Sequence, residues 1–283
     1  DKDLLKRLKK ECKKCNYETV ISAYKGKDEK VNGVIIDDNM KIINNIKIEK
    51  TILLSNWLGL YLNKYPIDLI PDLFLVSDAF DFKNSSLQLR IKNVSERLIA
   101  LLLLIMTFPI IALSGILILI DDGLPIFYSQ NRNGTLNKIF KITKLRTMQS
   151  DAEKNGAEWS KKNDHRITRV GNFIRRIRID ELPQLVSVIK GEMALIGPRP
   201  ERPEIDSLLS KQIKNYNIRY IAKPGLSGWA QVNYPYGASI QDAKEKFSYD
   251  IYYIRNFSNL LDLLILIKTI KMVLNARGSI PNT

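Results

Sequence analysis

Residues 98–120 run 23 positions without a charge, LIALLLLIMTFPIIALSGILILI. About 20 such residues suffice to cross the hydrocarbon core of a bilayer, and the run is too long for an ordinary buried helix of a soluble domain. It predicts a membrane-embedded helix. Pro109 stands near its middle. A proline there removes one backbone hydrogen bond and crowds the preceding turn, so a kink or break is expected. Both flanks are basic: Arg90, Lys92 and Arg97 come before, and Arg132, Lys138, Lys141, Lys144 and Arg146 after. Basic residues beside membrane segments favour the cytoplasmic side. A straight span puts one flank on the wrong side, whereas a helix that breaks at Pro109, dips in and returns keeps both on the right one. On these residues alone a kinked transmembrane helix and a re-entrant helix stand level.

Charge narrows the partners. The chain of 283 residues carries 44 Lys and Arg against 30 Asp and Glu, a net of +14. Between Arg90 and Asp180 the count is 16 against 8, so more than half of the excess lies beside the apolar run. Such a surplus points to an anion: nucleic acid, a phosphate ester or a membrane surface. A single histidine, His165, speaks against a histidine-based metal site or a Ser-His-Asp triad. Cys12 and Cys15 cannot build a disulfide framework, which suits a reducing cytosolic face. Their CxxC spacing lacks a second Cys or His pair, and incidental thiols are expected rather than zinc or redox chemistry.

Residues 1–88 form the first predicted unit. The Lys-rich stretch 1–14 reads as a solvated helix or linker, and 17–24, 31–37, 51–55 and 67–76 as short strands with weak helices between them. That alternation predicts a small α/β module. It holds no GxGxxG turn, so dinucleotide binding is not assigned. No basic leader and cleavage site opens the chain, so a removable signal peptide is not expected. The first residue is Asp rather than Met, and a start further upstream is expected. Residues 89–283 form the second unit. Its strands are predicted at 126–130 and 138–145, with a turn at 131–134. The segment 259–275, NLLDLLILIKTIKMVLN, reads either as a helix in the membrane interface, its lysines reaching lipid phosphates, or as a core helix of the domain.

The densest chemistry lies in RITRVGNFIRRIRIDELPQLVSVIKGEM. Leu182, Leu185, Val186 and Ile189 follow at helical spacing, Pro183 suits a first turn and Gly191 a stop, so Asp180 and Glu181 fall at a helix N-terminus. The dipole and the surrounding arginines are expected to keep both carboxylates ionised and to draw phosphate to the same place. An ionised Asp beside phosphate can attack it to form an acyl phosphate, and the next Glu suits Mg²⁺. The alternative is a capping Asp with surface ion pairs. GPRPERP at 197–203 makes a stiff loop that presents Arg199 for bidentate phosphate contact. KPGLSGWAQVN at 223–233 is turn-rich, and its Trp229 suits either a base or interface contact or packing.

Taken in order, FYSQNRNG, ITKLRTM, RIDELPQLVSVIKGEMALIGPRPERPE, KPGLSGWAQVN and YDIYYIRN resemble the signature of the bacterial sugar transferases, the monotopic polyprenyl-phosphate phosphoglycosyl transferases, over about residues 90–278. Residues 1–88 resemble the degenerate, Rossmann-like module of long-form members, which follows four membrane spans in that group. The resemblance implies an α+β, helix-rich monotopic catalytic domain on the cytoplasmic face of the bacterial inner membrane. It also implies a re-entrant helix broken at a proline, here preceded by Phe108 where serine is usual, and interfacial amphipathic helices. The implied reaction moves a sugar 1-phosphate from a UDP-sugar to undecaprenyl phosphate, releasing UMP, as the first membrane step of capsule, exopolysaccharide or O-antigen assembly. Asp180 is the implied nucleophile and Glu181 the Mg²⁺ ligand. Lys144, Arg175, Arg199 and Asp250 are implied substrate contacts, and a homodimer is the implied assembly. Two competing expectations remain: an inactive membrane-tethered scaffold, and an anionic-ligand or nucleic-acid binder. The second lacks any helix-turn-helix, zinc or RNP-type signature, and nucleic acid is not an expected partner.

Overall fold

The computed structural model describes residues 2–14, 34–36, 51–72, 74, 86–152, 164–235, 237 and 239–275. The chain opens on helix α1 (Lys2–Lys14), which buries Leu8 and Cys12, one turn apart, and turns most of its lysines outward. Cys15 lies outside the described residues, as does the strand expected at 17–24. Strands β1 (Val34–Ile36) and β2 (Thr51–Leu53) pair in parallel, and helix α2 (Leu54–Trp57) continues into a π-helical turn, Leu58–Leu62. The strand expected at 67–76 is not formed over its described start. Pro66 and Pro71 cannot donate to a ladder, and residues 67–70 make a turn in which the Leu69 amide bonds the Pro66 carbonyl (2.9 Å).

Helix α3 (Ser86–Asp122) contains the whole apolar run and is about 55 Å long at 1.5 Å per residue. It runs through Pro109 without interruption, so the expected break is not a gap in the helix. The proline stands on the exposed side of the helix. Lys92, Glu96, Ala100, Ile111, Ser114 and Ile118 are buried and Leu104 and Thr107 half-buried, a stripe at three- and four-residue spacing. The other sides expose Leu102, Ile105, Met106, Phe108, Leu113 and Ile120, and only 22% of the most apolar window is buried. Among the described residues this is the one helix long and apolar enough to cross a membrane.

Both ends of α3 are held by the same domain. Near its start, the Lys92 ammonium donates to the Ile196 carbonyl (2.9 Å) and to Asp262 (2.6 Å). At its end, Arg146 donates to the carbonyls of Asp122 (2.8 Å), Gly123 (2.7 Å) and Leu124 (3.1 Å), a cation satisfying orphan acceptors at a negative helix end.

Strands β3 (Phe127–Asn133) and β4 (Ile139–Leu145) form an antiparallel hairpin. The turn falls at 134–138, later than expected. Glu201 accepts from the Asn133 amide (2.9 Å) and Asp206 from its side chain (2.8 Å), which keeps Asn133 in the strand, and Leu136 and Asn137 take up the reversal at positive φ. Helix α4 (Arg169–Arg176) is capped by Thr168. A 3₁₀ segment (Ile179–Gln184) leads into α5 (Leu185–Lys190), stopped by Gly191 at φ 83°. Strand β5 (Ala194–Ile196) pairs in parallel with β6 (Gly225–Ser227). A Cβ on Gly225 would lie 2.1 Å from the Gly197 nitrogen, so the two loops bearing GPRP and KPGLSG meet only because these positions are glycine.

Helix α6 (Pro203–Gln212), a 3₁₀ segment (Tyr216–Ile221), α7 (Trp229–Asn233), α8 (Ile240–Arg255) and α9 (Asn259–Leu274) complete the described chain. Helices with three two-stranded sheets agree with the α+β expectation. One core lies among α5, β5, α7, α8 and α9, around Leu185, Val188, Trp229, Tyr253 and Ile265. On α9, Leu260, Leu263, Ile267, Ile270 and Leu274 form an exposed stripe. Burying a side chain of this size stabilises by roughly 1.5–3 kcal/mol, so both open stripes favour an apolar medium. Lys268 departs from expectation. It turns inward, 4.3 Å from the Trp229 ring centre and 2.8 Å from Asn233, and does not reach outward to lipid.

Candidate active site

The hairpin supplies one wall of a cavity of about 340 Å³. Side chains alternate along a strand, so Tyr128, Gln130 and Arg132 share a face, and the register sets Lys144 opposite Tyr128. The Lys144 ammonium lies 5.5 Å from the Tyr128 ring centre. Arg132 donates to Gln130 (2.5 Å) and to the Pro200 carbonyl (3.1 Å), which ties the hairpin to the proline-rich loop.

Asp180 and Glu181 enter from the 3₁₀ segment, whose preceding residue Arg178 has φ 61°. Arg199 grips Glu181 with both guanidinium nitrogens, at 2.6 and 3.4 Å, while Arg178 lies 3.6 Å away. Burial would raise the Glu181 carboxyl, but these two arginines outweigh it and hold it well below the ordinary range. Asp180 goes the other way. Burial and then the adjacent Glu181 charge push it up to about 6, against Lys144, Arg175 and Arg178. Both carboxylates are thus ionised at neutral pH, in line with expectation, but Asp180 becomes so only above about 6. It sits in a buried 3₁₀ turn before a six-residue helix, and neither dipole nor arginines offset its burial. Burial also lowers Lys144 to about 8, with Asp180 opposing, and Arg132 to about 10.

Helix α8 supplies the opposite wall. Asp250 is buried and paired with Arg219 (3.0 Å), which also donates to the Arg199 carbonyl (2.7 Å) and to the Tyr216 hydroxyl. Asp250 thereby steadies the Arg199 loop through Arg219. Its carboxyl is pushed up to about 6 by burial against the pull of Arg219.

All six residues singled out in the sequence, Lys144, Arg175, Asp180, Glu181, Arg199 and Asp250, line this one cavity. Arg132, Arg178, Arg219 and Lys246 line it too, without having been assigned a role. Arg219 had a faint signal: an arginine inside the aromatic stretch YNIRYI must find a partner if it is buried. Trp229 packs instead of lining the cavity, its indole bonded to the Asn63 carbonyl (2.9 Å) and its ring stacked on Tyr252. Among the described residues no three Asp, Glu, His or Cys side chains converge as a metal cage. Two adjacent carboxylates are still an acceptable donor set for Mg²⁺, which keeps waters and takes its remaining oxygens from substrate phosphates.

The chain thus combines a cavity in which several cations surround two carboxylates with an exposed apolar helix. Residues 87–276 match the bacterial sugar transferase family, and the chain belongs to it. It is 42% identical over 189 residues to the UDP-N-acetylgalactosamine-undecaprenyl-phosphate N-acetylgalactosaminephosphotransferase of Aeromonas hydrophila, covering 67% of this chain and 45% of that protein. It is also similar to two proteins named UDP-glucose:undecaprenyl-phosphate glucose-1-phosphate transferase. The one from Xanthomonas campestris is 32% identical over 76% of this chain and 49% of its own length. The one from Caulobacter vibrioides is 35% identical over 78% and 84%. The chain spans about half the length of the Aeromonas and Xanthomonas relatives.

Proposed function

We propose that this protein transfers a sugar 1-phosphate from a UDP-sugar to undecaprenyl phosphate, releasing UMP, at the cytoplasmic face of the bacterial inner membrane. The observation that carries the reading is the Asp180-Glu181 pair within the cation-lined cavity. In the first half-reaction an Asp180 oxygen attacks the phosphorus bonded to the sugar. The bond to the bridging oxygen of the diphosphate breaks, UMP leaves, and the sugar phosphate stays on Asp180 as an acyl phosphate. In the second, a phosphate oxygen of undecaprenyl phosphate attacks that phosphorus, which frees the Asp180 carboxylate and forms the lipid diphosphate sugar.

Asp180 serves as nucleophile when ionised, so a carboxyl near 6 is ready at neutral pH. Lys144, Arg175 and Arg199 hold phosphate oxygens and stabilise the charge that develops on them. Glu181 and Asp180 would hold Mg²⁺, which when bound supplies charge neutralisation to the phosphates. The sugar is left open, since the named relatives differ in it.

Membrane placement follows from α3. A helix buried along one stripe from Lys92 to Ile118, with both ends bonded to one domain, has no end to spare for the far side of a bilayer. This supports a monotopic helix that dips in and returns, with the α9 stripe beside it in the interface. Undecaprenyl phosphate would keep its tail in lipid and offer its phosphate at cavity level. Glycan assembly, a homodimer and residues 1–88 as a degenerate nucleotide-fold module belong to the same proposal.

Purified protein supplied with undecaprenyl phosphate, Mg²⁺ and a panel of UDP-sugars should release UMP with at least one of them. Failure of every sugar with a correctly folded protein would refute the activity. Labels placed before Arg90 and after Arg132 should both react only from the cytoplasm; opposite-side labelling would contradict the topology and leave the chemistry standing.

A further inference from the structure

The family match begins at residue 87, yet one short segment before it is built into the catalytic half of the chain. Asn63-Lys64-Tyr65 lies against two helices at once. The Asn63 carbonyl accepts from Trp229 of α7 (2.9 Å), and its side chain accepts from Tyr252 of α8 (3.1 Å). The Tyr65 amide donates to the Ser248 carbonyl in the middle of α8 (3.0 Å). Lys64 is 1% exposed and bridges Glu11 of α1 (2.6 Å) and Glu245 of α8 (3.0 Å). Lys14 closes the ring from the other side, pairing with Glu11 (2.7 Å) and with Glu245. Asp68 adds a bond from Lys244 (2.7 Å).

Asn63 itself takes a left-handed φ of 52°, a conformation that surrounding structure must hold in place. Around the segment lies a hydrophobic cluster that joins Leu8, Trp57, Leu58 and Leu62 to Phe247 and Ile251 of α8. Glu245 is one residue from Lys246 and five from Asp250, both of which line the cavity, and Trp229 precedes the cavity residues Ala230 and Gln231.

We propose that Asn63-Lys64-Tyr65 is a strut that sets α7 and α8 for ligand binding, with Lys64 its central positioning residue. A buried ammonium between two carboxylates is a poor device for stability alone, since apolar residues of similar volume often do as well. It fixes geometry, however, because removing the cation leaves the two carboxylates with only the more exposed Lys14 between them. They would push α8 away from α1, and Asp250, Arg219 and the Arg199 loop would move with it. Burial lowers and its carboxylates raise the Lys64 ammonium, with a net rise, while Lys14 and Lys64 together hold Glu245 below its ordinary value, so the Lys64–Glu245 pair is charged throughout the physiological range. The ligand side of this inference rests on the nucleotide reading above; the positioning of α8 does not.

The test uses the full chain in detergent micelles with Lys64→Met and Lys64→Arg, read by amide hydrogen exchange and by calorimetric binding of UDP. Lys64→Met should speed exchange across 244–252 about tenfold more than across the hairpin 127–145, and weaken UDP binding about tenfold. Lys64→Arg should restore both to within about threefold. Uniform faster exchange with unchanged UDP affinity per folded molecule would overturn the proposal, since the segment would then add only general stability. If Lys64→Met does not fold, Tyr252→Phe removes only the hydroxyl bond to Asn63 and should act in the same direction by about threefold; no change in either readout would again overturn it. A parent protein that fails to bind UDP refutes the nucleotide reading, while the exchange data still decide the strut.

Discussion

Two buried charge clusters in this chain use the same side-chain types to opposite ends. At the root of α3, Lys92 is enclosed by Glu96 (2.8 Å), Asp262 (2.6 Å) and the Ile196 carbonyl, while Tyr253 bonds Asp262 (2.8 Å) and the Ile196 amide bonds Glu96 (3.1 Å). Every group there is answered by protein. The cavity is lined by Lys144, Arg132, Arg175, Arg178 and Arg199 among other cations, with Asp180, Glu181, Glu201 and Asp250 as its carboxylates, and the surplus positive charge borders open space. Burial weakens Lys144 and Arg132, and the carboxylates nearest them, Asp180 and Glu201, offset it only in part. A closed cluster is a structural clamp; an unbalanced one that opens on a cavity is a binding site for anions.

Five changes would break or sharpen this contrast. Asp180→Asn keeps the shape of the site but removes the nucleophile, so UMP release should fall by roughly 10³–10⁶-fold with circular dichroism unchanged. Lys92→Met should do the reverse. It leaves two buried carboxylates without their cation and should cost about 3–5 kcal/mol of stability in a denaturant titration, with turnover per folded molecule almost unaltered. Arg199→Ala should lower turnover by about 10²–10³-fold and let the Glu181 carboxyl rise toward the ordinary range, visible as a new acidic limb in the rate profile.

The parent's own profile is the fourth. Asp180 works as the anion and Lys144 as the cation, so the rate should fall about tenfold per pH unit below about 6 and again above about 8. Lys144→Arg should carry the alkaline limb upward, because a guanidinium stays charged there. The smallest effect belongs to Lys268→Met, which removes a cation over the Trp229 ring. It should cost about 0.5–2 kcal/mol in melting experiments and leave vesicle binding unchanged, since that lysine faces the domain and not the lipid.

Local signals were the legible ones. The apolar run, the capped helices and the stop at Gly191 follow from neighbours a few residues apart, and each formed as spacing and glycine chemistry direct. The six site residues stand in short motifs that resemble the family's, although contacts such as Arg132 to Pro200 and Arg219 to Asp250 bring them together. Features made by long-range partners were not legible. The hairpin turn slid to 134–138 because Glu201 and Asp206 hold Asn133. Lys268 looks outward on an isolated helix and turns in only once Trp229 is beside it. Arg219 acquires a role only when Asp250, 31 residues away, is packed against it. The dipole and the arginines point to an ionised Asp180, but burial, which no local pattern reveals, raises its carboxyl to about 6. The continuity of α3 through Pro109 likewise does not show in the local pattern.

The central claim is a sugar phosphate carried on Asp180. Incubating the protein with Mg²⁺ and its UDP-sugar, without undecaprenyl phosphate, should release about one UMP per active site and add one sugar phosphate to the peptide containing Asp180, seen by mass spectrometry. Addition of undecaprenyl phosphate should then discharge the adduct. Product formation with both substrates present, but neither UMP nor adduct without the lipid, would contradict the account.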